Sequence, residues 1–162
     1  TVVGFMAKHL MVTKVRGSFK AFSGAIQIGP SAEESSVSVS IDASSIDTGT
    51  ADRDGHLRSG DFLDVENHPT IDFRSTAVRQ VGSGYQVDGE LTIRGVAKPV
   101  TLDMTFDGVA TDPWGNSKAA FTATTSIDRE DWGLTWNVPL ETGGLLVSKE
   151  IKIEIEVQAA KA

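Results

Sequence analysis

The sequence contains no cysteine. That absence removes disulfides, zinc–thiolate sites, iron–sulfur clusters and thiol nucleophiles together, and leaves the compartment open. Long apolar runs are missing too. None approaches the roughly 18–20 residues of a membrane-spanning helix, because Lys, Asp, Ser or Gly interrupts each one. Basic charge is scarce: 15 Lys and Arg face 22 Asp and Glu, a net −7, which argues against nucleic acid and anionic membrane surfaces as partners. The densest basic stretch, Lys14, Arg16 and Lys20, is interleaved with apolar residues as on a half-exposed strand. Repeats, low-complexity tracts and linkers are absent, so residues 1–162 read as one domain, long enough to bury a core. The opening Thr1-Val2-Val3-Gly4-Phe5 carries no signal-peptide pattern, and localisation stays open between cytoplasmic and exported.

What is present is period-two alternation, in segment after segment. Val37, Val39 and Ile41 alternate with serines; Val100, Leu102, Met104 and Phe106 alternate with Thr and Asp; Ile151, Ile153, Ile155 and Val157 alternate with Lys and Glu. Weaker versions run through Phe121, Ala123, Thr125 and Ile127, and through Val87, Leu91 and Ile93. One apolar row and one polar row per strand is the pattern of antiparallel sheet with one wet face. Turn residues divide the runs at Gly82-Ser83-Gly84, at Arg94-Gly95 and at Asp112-Pro113-Trp114-Gly115-Asn116. Gly17 and Gly24 interrupt a long strand pattern from Val15 to Ile28, where a bulge or sharp coil helps a sheet close. About eight long strands with short connections predict an all-β, antiparallel, closed barrel, since open edges on long strands invite aggregation. Two segments break the alternation. Ala51–Leu63 predicts a short helix, with Thr50 or Asp52 as N-cap and Gly60 as stop, and Pro139–Gly144 predicts a turn followed by a glycine-rich bend.

Chemistry-bearing constellations are thin. His9, His56 and His68 with abundant Ser make a triad arithmetically available, but there is no G-x-S-x-G elbow. His9 ends an apolar strand, His56 sits on the helix, and His68 precedes Pro69 in a loop. His56 with Asp52, Asp54 and Asp61 matches no metal-binding spacing, and acidic residues in a first helical turn are ordinary cap partners. Gly143-Gly144 lacks the Lys and the strand-to-helix context of a phosphate loop. No catalytic residue, metal or cofactor is therefore assigned. The aromatics carry more. Phe5, Phe19, Phe22, Phe62 and Phe73 scatter over the strands, and the alternation of Trp132-Gly133-Leu134-Thr135-Trp136 puts both tryptophans on one face. Several inward candidates are small: Ala21, Ala25, Ala43, Gly89 and Ala123. A barrel of this size is either filled by side chains or holds one ligand, and small inward residues leave room for an elongated apolar molecule.

Four stretches then resemble a known family. They are His56-Leu57-Arg58-Ser59-Gly60-Asp61-Phe62-Leu63-Asp64-Val65 running on to Pro69-Thr70-Ile71-Asp72-Phe73; Gly89-Glu90-Leu91-Thr92-Ile93-Arg94-Gly95-Val96-Ala97-Lys98-Pro99-Val100; Ile127-Asp128-Arg129-Glu130-Asp131-Trp132-Gly133-Leu134; and Val12-Thr13-Lys14-Val15-Arg16-Gly17-Ser18-Phe19. Together they look like the signatures of the YceI-like family, in the right order over essentially the whole chain. The resemblance implies a lipocalin-like barrel with a helical insertion that binds polyisoprenoid or related amphiphilic lipids in its lumen. It makes Phe19, Leu57, Phe62, Phe73, Trp132 and Leu134 candidates for lining the pocket, to which the aromatic inventory adds Phe5, Phe22 and Trp136. Arg58, Arg94 and Arg129 match polar signature positions and are expected to make structural ion pairs with Asp61, Asp128 or Asp131. One departure is that family chains begin with an extra segment carrying an Asp-Pro and a His-Ser ahead of the stretch equivalent to Val3-Gly4-Phe5. Without it, one barrel seam is expected to close poorly.

The leading expectation is a soluble bacterial binder of an isoprenoid-type lipid or quinone, for transport, storage or sequestration, without catalysis. An alternative is a small enzyme using the barrel as an active-site cup with His56 or His9 as acid–base. A third is a stress-response module with a filled barrel. A homodimer through an apolar barrel end is compatible with each.

Overall fold

A computed structural model of the chain describes residues 1–10, 12–140 and 146–160. The strands are β1 (Val2–His9), β2 (Thr13–Phe19), β3 (Phe22–Gln27), β4 (Ser36–Asp42), β5 (Ile46–Asp47), β6 (Thr70–Val81), β7 (Gly84–Ile93), β8 (Val96–Thr111), β9 (Ser117–Asp128) and β10 (Glu150–Ala160). The one α-helix among the described residues, α1 (Ala51–Arg58), stands between β5 and β6. All pairings are antiparallel, in the order β3-β4-β6-β7-β8-β9-β10-β1-β2-β5.

That order curls on itself because the chain runs on from β2 into β3 through a bend at Lys20 and Ala21. Below the bend β2 pairs with β1, and above it β3 pairs with β4. The bend is bonded on both sides: Lys20 N–H donates to Ser45 O at 3.2 Å and Asp42 N–H to Ala21 O at 2.9 Å. The expected eight strands become ten in this way. Val15–Ile28 is one long strand broken in two, and β5 is the two-residue continuation of β4 past a short 3-10 turn, Ala43–Ser45.

The predicted reversals are hairpins. Arg94 and Gly95, with φ of 51° and 74°, form a two-residue turn between paired Ile93 and Val96, the twist-matched geometry for joining right-twisted strands. Gly17 and Gly89 serve packing more than bending. A Cβ on Gly17 would lie 2.4 Å from the Phe5 ring, and one on Gly89 would lie 2.4 Å from the Phe73 ring. Each glycine thus accepts an aromatic ring laid across its strand. Gly89 is therefore no empty space; Phe73 occupies it.

The end carrying α1, the β7–β8 turn and the start of β10 is here called lower, and the opposite end upper. The lower end is densely packed, with Ile46, Phe62, Leu63, Ile93, Trp132 and Leu134 all buried. The helix is shorter than expected. It ends at Arg58, where Ser59 Oγ donates to His56 O at 2.6 Å, and residues 59–63 follow as turns. Thr50 is the N-cap residue but makes no side-chain cap bond. Instead the buried Asp54 carboxylate reaches back and accepts from Thr48 N–H at 2.9 Å and Thr48 Oγ1 at 2.6 Å. The bend expected over Pro139–Gly144 extends outside the described residues.

The upper end differs. β3 pairs with β4 alone, and the last residues of β10 pair with β9 alone. Among the described residues no strand lies between them above the level of Thr1 and Val2.

Candidate functional site

The inward rows of the strands do not meet at the barrel axis. They surround a cavity of about 1000 Å³, at the top of the range of roughly 300–1,000 Å³ usual for small-molecule sites. Its wall is a ring of alternating inward side chains: Ile71 and Phe73 from β6, Val87 and Leu91 from β7, Val100, Leu102 and Met104 from β8, Phe121 and Ala123 from β9, and Ile151, Ile153 and Ile155 from β10. Leu57, Phe62, Leu63 and Leu134 form its floor. Polar lining is confined to a few places. Thr1, Ser23, Ser38, Ser117 and Gln158 lie toward the upper mouth, and Thr125 lies on the β9 wall. Ser23, Gly24, Ala25, Ile28, Gln158 and Ala160 line the cavity and are exposed.

Arg129 is the one charged side chain among the described lining residues, and it is 4% exposed. Among the described residues it meets no carboxylate. Its Nε donates to Ser148 O at 2.9 Å, Nη1 to Leu134 O at 2.6 Å and Trp136 O at 3.0 Å, and Nη2 to Val147 O at 3.4 Å. Burial pushes the guanidinium down from its usual range, and the nearby Glu130 and Asp128 partly offset that. Four carbonyl dipoles thus hold the cation, which pins two segments of the floor together.

This corrects the expected ion pairs. Arg58 donates to Ser44 O at 2.9 Å and Ile46 O at 3.3 Å, and Arg94 to Phe62 O at 2.9 Å, so all three signature arginines serve backbone carbonyls. The expected carboxylates are used elsewhere: Asp61 pairs with His56 at 2.9 Å, and Asp128 caps the 3-10 turn Arg129–Trp132 by accepting from Glu130 N–H. A planar five-donor head suits diverging carbonyls, and each Arg here lies where an irregular segment leaves carbonyls without ladder partners.

Of the nine residues expected to line a pocket, Phe5, Phe19, Phe22, Leu57, Phe62, Phe73 and Leu134 surround the cavity. Trp132 and Trp136 do not. The alternation read through them is broken, because Trp132 closes a 3-10 turn and Gly133 reverses the chain at φ 81°. Trp132 is buried behind the wall, its indole N–H donating to Leu91 O at 2.9 Å. Trp136 packs outside the floor, its ring centroid 4.7 Å from that of His56 and 5.3 Å from that of Phe62. Reading strands alone missed Val87, Phe121 and the isoleucines of β10, although their alternation was plain; what was lacking was the curl that turns one row inward. None of His9, His56 and His68 reaches the cavity lining. Asp54, engaged with Thr48, is turned away from His56, and no group of three or more His, Asp or Glu within ligating reach occurs among the described residues.

Fold and cavity together define a curled antiparallel β-barrel organised around an internal apolar chamber, an architecture with room for one small ligand. The chain belongs to the YceI-like domain family, whose model matches residues 1–159. It is 39% identical over 162 residues to a UPF0312 protein of Pectobacterium carotovorum, covering 98% of this chain and 80% of that one. Protein YceI of Salmonella newport is 36% identical, with 98% and 81% covered. Among solved structures, the YceI protein of Campylobacter jejuni superposes with a TM-score of 0.81 at 30% identity, covering 96% of this chain and 90% of that one. A polyisoprenoid-binding domain from Saccharophagus degradans superposes with a TM-score of 0.66 at 16% identity over 99% and 93% of the two chains, a likeness of fold. No helix among the described residues is long and apolar enough to cross a membrane.

Proposed function

We propose that this chain binds a long apolar or amphiphilic lipid of polyisoprenoid or quinone type in the barrel lumen, to carry, store or sequester it, and performs no catalysis on it. One observation carries the reading: the about 1000 Å³ chamber is walled by apolar side chains, and the one charged residue among its described lining is already held by four carbonyls. Each methylene taken out of water there contributes about 0.8 kcal/mol, which favours a long tail over a compact solute. The serines, Thr1 and Gln158 at the mouth give a polar head its place while the tail descends to Leu57, Phe62 and Leu134. The S. degradans domain of the same fold, named for polyisoprenoid binding, supports the ligand class. The enzyme alternative has less to stand on, since its candidate bases His56 and His9 lie outside the chamber.

Native mass spectrometry of the purified protein, before and after organic extraction, tests the reading. The expected result is a bound mass that extraction removes and that returns on incubation with a long-chain polyprenol. An unliganded mass before and after that incubation would overturn it.

A further inference from the structure

The upper rim of the barrel is uneven. β8 has 16 residues and β7 ten, and the last β7–β8 pair is Tyr85 with Met104. Thr105–Thr111 therefore have no partner on the β7 side and continue upward against β9, which is itself flanked by the end of β10. At about 3.3 Å per residue these seven positions form a three-stranded lip on the order of 20 Å long. A bulge between Phe106 and Gly108, with Gly108 at φ 115°, re-aims the ribbon so that Val109 follows Phe106 on the inner face.

That inner face is apolar and uncovered. Phe106 is 49% and Val109 64% exposed, while Val109, Ala119 and Phe121 also line the cavity, so lip and chamber share one continuous apolar surface. Across the mouth stands Ile28, 73% exposed and likewise part of the lining. At the very tip Trp114 is 84% exposed. It is held by a rigid turn in which the Asp112 carboxylate accepts from Trp114 N–H and Asn116 N–H, each at 2.9 Å. The Asn116 bond foremost keeps that carboxyl below its ordinary range.

Charge narrows the choice of partner. From Phe106 to Ala120 only Asp107, Asp112 and Lys118 are charged, in a chain of net −7. Both carboxylates are occupied, Asp107 by Thr105 and Thr122 and Asp112 by its turn. The β8–β9 part of the lip, from Phe106 to Ala120, is thus nearly neutral, and it carries at its apex the side chain best suited to the boundary between head groups and hydrocarbon. A cargo too apolar for water also needs an apolar phase against the mouth when it leaves.

We propose that the lip formed by the upper ends of β8, β9 and β10 docks on the surface of a neutral, zwitterionic lipid bilayer, with Trp114 at the interface, and that cargo passes between bilayer and chamber at this mouth. The proposal rests on the lipid-binding reading, but its test is separable from it. The chain is titrated with phosphatidylcholine vesicles while tryptophan emission and co-sedimentation are followed. Trp132 is buried and Trp136 half-buried, so a shift of emission to shorter wavelength reports Trp114.

The expected result is a blue shift with co-sedimentation. Both should be lost in Trp114→Ser, whose vesicle affinity falls by about tenfold or more, and co-sedimentation should be kept in Trp114→Phe. Trp114 does not line the cavity, so Trp114→Ser should keep the wild-type bound mass in native mass spectrometry. The docking proposal is overturned by an unchanged emission without co-sedimentation, by binding that appears only when phosphatidylglycerol is added, or by a lipid-free dimer in sedimentation velocity that already shields Trp114. Bound mass without vesicle binding refutes docking alone; vesicle binding without bound mass refutes the cargo reading and leaves docking standing.

Discussion

The lower end of the barrel devotes a helix, two 3-10 turns and a buried arginine to closing itself, whereas at the upper end β8 and β9 outrun β7, and Ile28, Val109 and Trp114 are exposed. Both ends are made from the same alternating strands, so the contrast comes from what is added to them. Below, carbonyls of irregular segments at Ser44, Ile46, Phe62, Leu134, Trp136, Val147 and Ser148 are taken up by Arg58, Arg94 or Arg129. Above, the strands simply outrun their neighbours. A protein that must hold an apolar molecule and still release it needs one rigid end and one accessible end, since openings come from the less stable part of a fold. The lower end should therefore carry the stability and the upper end the traffic, and substitutions can test that division.

The largest effect should follow Arg129→Met. The substitution keeps much of the side-chain volume but leaves the carbonyls of Leu134, Trp136, Val147 and Ser148 without their donor in a buried place. Leaving a buried polar group unsatisfied costs about 1–3 kcal/mol, so a loss of at least about 3 kcal/mol in urea unfolding is expected. A loss under about 1 kcal/mol would mean that the floor does not depend on this cation, and the contrast between the ends would fail.

Gly89→Ala should come next. The added Cβ would lie 2.4 and 2.5 Å from Phe73 ring atoms and 2.7 Å from the Arg74 carbonyl oxygen. The ring can swing away but the backbone oxygen cannot, so the cost is set at about 1–3 kcal/mol, as for overpacking. The displaced ring lines the chamber, so the bound mass in native mass spectrometry should fall as well. Gly89→Ala at wild-type stability with full cargo would show the wall to be softer than the packing implies.

How much of this was legible in the residues follows the same division. β4, β8 and β10 announced themselves by alternation, and the hairpins at Gly82-Ser83 and Arg94-Gly95 by their turn residues. Those signals are local, and local signals survive folding well. The bend at Lys20-Ala21 was not legible, because it is made by bonds to Ser45 and Asp42, some twenty residues away. The carbonyl cradle of Arg129 was hidden for the same reason: its acceptors are backbone atoms, and no residue type marks a carbonyl that lacks a ladder partner. The tryptophan face at 132 and 136 was misread because a short 3-10 turn can follow a strand without any change in hydrophobic pattern. The lip depended on comparing the lengths of β7 and β8, which needs both boundaries and the register between them.

The smallest effect tests the comparison most directly. Val109→Ser removes an apolar side chain from the inner face of the lip, where it is 64% exposed. Were the upper end packed like the lower, a Val lost to Ser would cost several kcal/mol by cavity formation and polar burial. On an open ribbon the hydroxyl stays in water, few contacts are lost, and the β8–β9 ladder from Gly108–Ala120 to Thr111–Ser117 is untouched. The expected change is within about 0.5 kcal/mol, the range of ordinary surface substitutions, and for a chain of this length that moves the thermal midpoint by no more than about 2 °C. A drop several times larger would show that something covers the lip in solution, and the upper end would then be a second closed end.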